Sequence, residues 1–215
     1  MGRGRHAGYD DQRETILARA AHLFALRGYA ATSMNEVAEA CGLSKATLYH
    51  YYRDKDALLF SIADSHVERL QRIVAQAIAE AQEPGARLRA LVRRFVAEYA
   101  DAQDAHWVLT GEVRFLDAAD RERILDRQRE VVAAFADVVG ALRPDLKQAA
   151  LDKPLTMLLF GMVNWMFTWM KPDGALDHDA MAPIVADLFL GGLGAVRVPE
   201  LPAAAPRRTM KETPA

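Results

Sequence analysis

The chain has 215 residues, a formal charge of −2 from 27 basic and 29 acidic side chains, and about half of its residues apolar. That length allows one large helical domain, or a small domain joined to a larger one, and the near-neutral charge excludes association driven by a global basic field. A single cysteine, Cys41, excludes an internal disulfide and suits a reducing cytoplasm.

Residues 1–9, with Arg3, Arg5 and His6 among glycines, read as a flexible basic arm. Such an arm either hangs free or lies along a phosphate backbone or minor groove. The polar, glycine-rich start gives no expectation of a signal peptide. Asp10 and Asp11 supply a cap and early negative charge for a first helix. Ile16, Ala20, Leu23 and Phe24 form its apolar stripe, and Gly28 ends it before Tyr29 folds back.

Ser33 then opens a second helix. Glu36 stands three residues later, which makes a capping box. Val37, Ala38 and Cys41 follow at helical spacing, and Gly42 stops the helix by taking the left-handed conformation. Leu43 plugs the turn and Ser44 caps a third helix. There Leu48 and Tyr52 share one face, while Lys45, Ala46, Tyr49 and His50 point away from it. Two short helices joined at a glycine turn, the second with a polar and aromatic outer face, suit the major groove of DNA. An ordinary helical hairpin with its aromatics in the core is the alternative.

The stretch TSMNEVAEACGLSKATLYHYYRDKDALL resembles the DNA-binding signature of the TetR family of transcriptional regulators. Tyr49 and Tyr52 stand in the family's Tyr-x-x-Phe places, with Tyr for Phe at 52 adding a hydroxyl that needs a partner. RETILARAAHLFALRGYAATS resembles the family's first helix. The resemblance implies that Lys45, Ala46, Thr47 and Tyr49 enter the major groove. Lys45 would donate to guanine and Ala46 would meet a thymine methyl. Ser33, Tyr49, Tyr51 and Lys55 are the phosphate candidates, and Ser44 is a further DNA-binding candidate. Lys55 follows the cap Asp54, so its ammonium and the helix N-terminus converge on one phosphate. His50 either touches DNA or covers the turn.

Asp54 opens a long helix through Leu58, Leu59, Ile62, Val67, Leu70, Ile73, Val74 and Ile78, closing before Pro84. Leaving the DNA-binding unit at residue 54, it is a natural lever into residues 55–197. Further helices are expected over 86–102, 107–115, 118–142, from Pro154, and from about Asp177 to Val196. No strand-like alternation occurs, so the fold class is all-α. From Val198 the chain turns rich in Pro and Ala and reads as a disordered tail.

The segment PLTMLLFGMVNWMFTWM, with Asn164 and two threonines inside, is marginal for a membrane span and reads better as a core helix. Apolar on almost every face, it requires burial by its own domain and by a partner subunit. With the final helix it would build an intersubunit four-helix bundle, hence a homodimer. The stretch from Gly161 to Leu193 resembles TetR-family regulators of fatty-acid, steroid or aromatic-acid breakdown, whose effectors are often acyl-CoA thioesters. Met162, Asn164, Trp165, Met166 and Trp169 are candidate pocket residues, an adaptable apolar slot around one amide. Core or dimer packing explains the same residues. Trp107, Arg114 and Phe115 are weaker candidates, and Arg89, Arg93 and Arg94 either meet CoA phosphates or form a solvated helix face.

The scattered histidines show no metal spacing, and no nucleophile elbow, phosphate loop or dinucleotide fingerprint is present, so neither catalysis nor a cofactor is expected. The reading is a repressor with a double-stranded operator as partner, released by a hydrophobic effector. Its rivals are a helical carrier or enzyme with a structural helix-turn-helix, and an activator without a small ligand.

Overall fold

A computed structural model of the chain describes residues 3–170 and 176–199. These form ten α-helices and one 3₁₀ turn: α1 Arg3–Arg27, α2 Met34–Ala40, α3 Lys45–Tyr51, α4 Lys55–Glu80, α5 Pro84–Asp101, α6 Gln103–Gly111, the turn Val113–Phe115, α7 Ala118–Leu142, α8 Pro144–Gln148, α9 Asp152–Trp169 and α10 His178–Leu193. No strand occurs among the described residues.

The sequence signals for α1 to α4 act where they stand. Gly28 and Gly42 take φ of +83° and +65°, which L side chains adopt with difficulty, so each ends a helix cleanly. Ser33 and Glu36 form the reciprocal capping box, Ser44 accepts from the Thr47 amide, and Asp54 accepts from the Ala57 amide. Each such cap is worth about 1 kcal/mol.

Helix α1 begins earlier than the acidic pair suggests. The backbone expected to be a loose arm is helical from Arg3, so Asp10 and Asp11 lie inside the helix and cap nothing. Gly4 and Gly8 weaken a helix by about 1 kcal/mol each without terminating it. Residues 107–115 likewise do not form one helix. An α-helix ends at Gly111, and a tighter turn follows through Phe115. The short α8, opened by Pro144, has no counterpart among the expected elements. The expected disordered tail falls largely on residues 200–215, outside the described residues.

Helix α4 ties the molecule together. Its 26 residues bury Leu58, Leu59, Ile62, Ala63, Val67, Leu70 and Val74. It packs on α1 at one end and on α5, α6 and α7 farther along. One continuous core therefore runs from Phe24, Val37 and Leu48 to Phe95, Phe135 and Leu159. Helix α10 lies along α5, with Arg89 paired to Asp187, and α9 lies along α7.

The outer faces of α9 and α10 are apolar and uncovered. Met157, Leu158, Trp165 and Trp169 on α9, with Ile184 and Leu188 on α10, are all about half exposed or more. Among the described residues no helix is long and apolar enough to cross a membrane.

Candidate nucleic-acid interface and effector domain

Helix α3 is pinned from behind and free in front. Leu48 is fully buried and Tyr52 is 5% exposed. The Tyr52 hydroxyl finds its partner in Arg13 of α1, whose Nε donates to it at 3.2 Å. Lys45, Ala46, Thr47, Tyr49 and His50 are exposed on the opposite face. The Lys45 ammonium sits 5.8 Å from the Tyr49 ring centre, so the two side chains form one cationic and aromatic edge. Beside it opens a shallow hollow of about 500 Å3, bounded by the Ala30–Asn35 segment, Lys45, Tyr49 and Lys55.

The other candidates on this surface are more committed. The Ser33 hydroxyl donates to Glu36 Oε2 at 2.8 Å, and the Ser44 and Thr47 hydroxyls bond each other at 2.8 Å, so each serves its own helix start first. Tyr51 is half-buried and stacks on Tyr9 at 4.7 Å, with His50 edge-on to it at 6.0 Å.

Lys55 departs from expectation. Its ammonium donates to the carbonyl oxygens of Tyr29 and Thr32, both at 2.8 Å, and lies 4.2 Å from the Tyr29 ring centre. Asp54, not an external anion, fills the amide end of α4. The Tyr29 carbonyl also accepts the Thr32 amide at 3.2 Å, and by bonding both ends of this turn Lys55 staples it to α4.

That turn is also gripped from the larger domain. Glu112, 8% exposed, accepts from the Tyr29 amide at 2.7 Å, and Phe115 stacks on the Tyr29 ring at 5.4 Å. The Tyr29 hydroxyl donates to Asp56, and burial and that bond push its pKa up. His22 of α1 meets Asp104 of α6 at 3.0 Å. Phe115 therefore belongs to the junction between the two domains and not to an internal slot. Arg114 lies over its ring at 5.0 Å, and Trp107 is 51% exposed.

The five candidates on α9 divide. Met166 is buried and Met162 and Asn164 are half-buried, whereas Trp165 and Trp169 are 67% and 52% exposed. The tryptophans share a face, as four-residue spacing demands, and that face looks outward; they do not line an interior slot. Arg89 and Arg94 are paired with Asp187 and Glu80, which removes them as free phosphate ligands, and Arg93 is exposed. A groove of about 910 Å3 runs between α1, α4 and the α5–α6 turn, floored by Leu17, Ala21 and Ile62, and none of the sequence-derived candidates lines it.

The interior holds a polar chain that the scattered histidines concealed. His66 of α4 and His106 of α6 approach to 3.3 Å. Arg69 joins the chain through Glu98 at 2.8 Å, and Tyr99 stacks on His106 at 3.6 Å. Burial lowers the pKa of both histidines, that of His106 to about 3, so both rings are neutral. Burial acts to raise Glu98, but the bonds from His66 and Arg69 outweigh it and hold the carboxyl low. The available signal was His66 standing in the apolar stripe between Ile62 and Leu70.

Residues 16–62 match the family of bacterial regulatory proteins, tetR family, and residues 81–193 match the tetracyclin repressor-like C-terminal domain. The chain belongs to the TetR family of transcriptional regulators. It is 38% identical to a TetR-family regulator from Bordetella parapertussis, whose crystal structure it matches with a TM-score of 0.80 over 86% of this chain and 97% of that one. It is 28% identical to AibR, solved in complex with isovaleryl coenzyme A and operator DNA, with a TM-score of 0.71 over 82% and 97% of the two chains. It is 26% identical to the transcriptional repressor KstR2 of Rhodococcus jostii over 193 residues, 87% of this chain and 93% of that protein.

The two matched regions follow the architecture. The first runs from α1 into α4, and the second covers α5 to α10. A regulator of this family is not an enzyme, and the expectation of a noncatalytic chain stands on that membership.

Proposed function

We propose that this TetR-family regulator is a homodimeric repressor that holds a near-palindromic operator and leaves it when a hydrophobic effector, foremost an acyl-CoA thioester, occupies the larger domain. The observation that carries the reading is α3, whose inner face is locked by Leu48 and Tyr52 while Lys45, Ala46, Thr47 and Tyr49 stand free. Those four meet base edges, and Ser33, Ser44, Tyr51 and the exposed His50 border the phosphates. Lys55 holds the turn that sets the height of this surface. Half-buried Cys41, its thiol pushed up by burial, suits the reducing cytoplasm in which such a repressor works.

The dimer reading is supported by the uncovered apolar face of α9 and α10. Added side chains at Gly161 and Gly191 would meet only open space within the subunit, leaving room for a partner's backbone. The effector class is supported by AibR and its isovaleryl coenzyme A. Coupling follows from α6, which carries His106 in its interior and leads directly into Glu112, the residue that grips the Tyr29 turn. An effector that favours a displaced α6 releases that grip and changes the spacing of the two recognition helices. Only differential affinity for the two spacings shifts the equilibrium.

Footprinting on the DNA upstream of the regulator's own coding sequence, with and without acyl-CoA thioesters, tests this reading. It predicts protection of two symmetric half-sites about one helical turn apart, lost on thioester addition. An unprotected fragment sinks it.

A further inference from the structure

Tyr29 donates its hydroxyl to Asp56, and the Tyr52 hydroxyl accepts from Arg13 at 3.2 Å, but the Tyr51 hydroxyl has no hydrogen-bond partner among the described residues. Three residues after Leu48, Tyr51 stands at the border between the locked face of α3 and its outer face, half-buried. Its ring, by contrast, is held. Tyr9 of α1 stacks on it at 4.7 Å with the ring planes 21° apart, and His50 meets it edge-on at 6.0 Å and 81°. Tyr9 is itself 42% exposed and lies outside the core, so burial does not explain its place. The stack depends on the early start of α1, because a helix opened by Asp10 and Asp11 would leave Tyr9 in a loose lead. Arg13, one turn farther along the same side of α1, makes the neighbouring tie to Tyr52. Two successive turns of α1 therefore brace the end of α3, one through a ring and the next through a hydrogen bond.

We propose that Tyr9 is a positioning residue for operator binding: its ring holds Tyr51 so that the Tyr51 hydroxyl donates to a phosphate oxygen at the edge of the half-site. This rests on the reading of α3 as the DNA-facing element and deepens it. An unsupported tyrosine at a helix border swings about its first side-chain torsion, and fixing it on DNA costs conformational entropy. A ring already stacked in the free protein loses less freedom on binding, which strengthens the contact without adding another. The ring of Tyr9 does this, and its own hydroxyl is not required. A contact made by a hydroxyl displaces no counterion from the duplex, whereas one made by Lys or Arg does.

Fluorescence anisotropy of the full chain on the regulator's own upstream DNA, across a salt series, tests the assignment. Tyr9→Ala should weaken binding about two- to tenfold, the worth of one aromatic pair. Tyr9→Phe should restore it, and Tyr51→Phe, which keeps the stack but removes the hydroxyl, should weaken it by a similar factor. Added to Tyr51→Phe, Tyr9→Ala should cost less than about twofold more, because the two act through one contact. The slope of log affinity against log salt should stay unchanged throughout. Undiminished binding by Tyr9→Ala overturns the proposal, as does an equal loss in the Tyr51→Phe background. A slope that falls by a full contact overturns it too, since Tyr9 would then act through the basic residues that precede it. Should Tyr9→Ala lose its helical circular dichroism, Tyr9→Leu keeps apolar bulk without the flat ring and takes its place in the same cycle. Failure of the unaltered chain to bind sinks the α3 reading along with this one, whereas binding that is indifferent to Tyr9 sinks this one alone.

Discussion

The Glu112 carboxylate accepts the backbone N–H of Tyr29 at 2.7 Å from a position only 8% exposed, and this single bond joins the end of α6 to the turn that leads into the DNA-reading helices. No bulk contact can substitute for it, because a buried amide without an acceptor carries its full desolvation cost. Glu112→Leu is expected to lower unfolding free energy by about 1–3 kcal/mol in urea titration, and to weaken effector-induced release from DNA. Glu112→Gln keeps an acceptor oxygen and should lose less than half as much stability. Equal losses in the two variants would show that the carboxylate serves only as bulk.

Lys55 offers a second test of the same turn. Lys55→Met removes the donor to the Tyr29 and Thr32 carbonyls, so it should cost about 1–3 kcal/mol of stability. Each phosphate contact contributes about 0.9 to the slope of log affinity against log salt. The variant's slope should therefore change by much less than that. A variant of unaltered stability whose slope falls by a full contact would return Lys55 to the phosphate backbone.

The buried histidines set a pH dependence. Burial holds His66 and His106 below the ordinary histidine value, His106 at about 3, in surroundings that include Arg69, Glu98 and Tyr99, with His178 beyond Phe167. Below about pH 6.5 the unfolded chain takes up protons that the folded chain refuses, so stability is lost as pH falls. The loss amounts to about 1.4 kcal/mol per pH unit for each ring that stays neutral. Urea midpoints at pH 7, 6 and 5 should fall, and His106→Phe should remove roughly one ring's share of the slope. Identical slopes with and without His106 would contradict the neutral ring.

Much of the DNA-binding unit was legible because its signals are local. Ser33 with Glu36, Gly42 with its left-handed backbone, and the four-residue spacing of Leu48 and Tyr52 act within one or two turns. The 118–142 span was equally readable from its apolar stripe, and α7 occupies that span. What escaped the sequence depends on distant pairings. Lys55 was assigned outward from its place after a cap, yet carbonyls more than twenty residues earlier captured it. Trp165 and Trp169 share one face, as their four-residue spacing requires, but spacing does not say whether that face looks inward. His66 and His106 meet only because α4 and α6 pack together, which no motif spacing records.

The exposed apolar face of α9 and α10 predicts the oligomeric state. Leu158→Arg and Leu188→Arg place a cation where each side chain is about two-thirds exposed in the subunit, so neither should harm its fold. Sedimentation should find the unaltered chain at twice its 23.8 kDa mass and the double variant at the single-chain mass. A double variant that still sediments at twice the mass would move the interface elsewhere.

The most direct measurement uses Ala46, exposed on α3 with nothing to hold inside the subunit. Ala46→Asp puts a carboxylate into the proposed groove-facing surface without touching Leu48 or Tyr52. Fluorescence anisotropy on the regulator's own upstream DNA should show the unaltered chain binding and the variant losing about a hundredfold or more in affinity, as a misplaced charge against bases and phosphates costs several kcal/mol. Undiminished binding by a folded Ala46→Asp protein would contradict the account, because the face of α3 would then not be what meets the duplex.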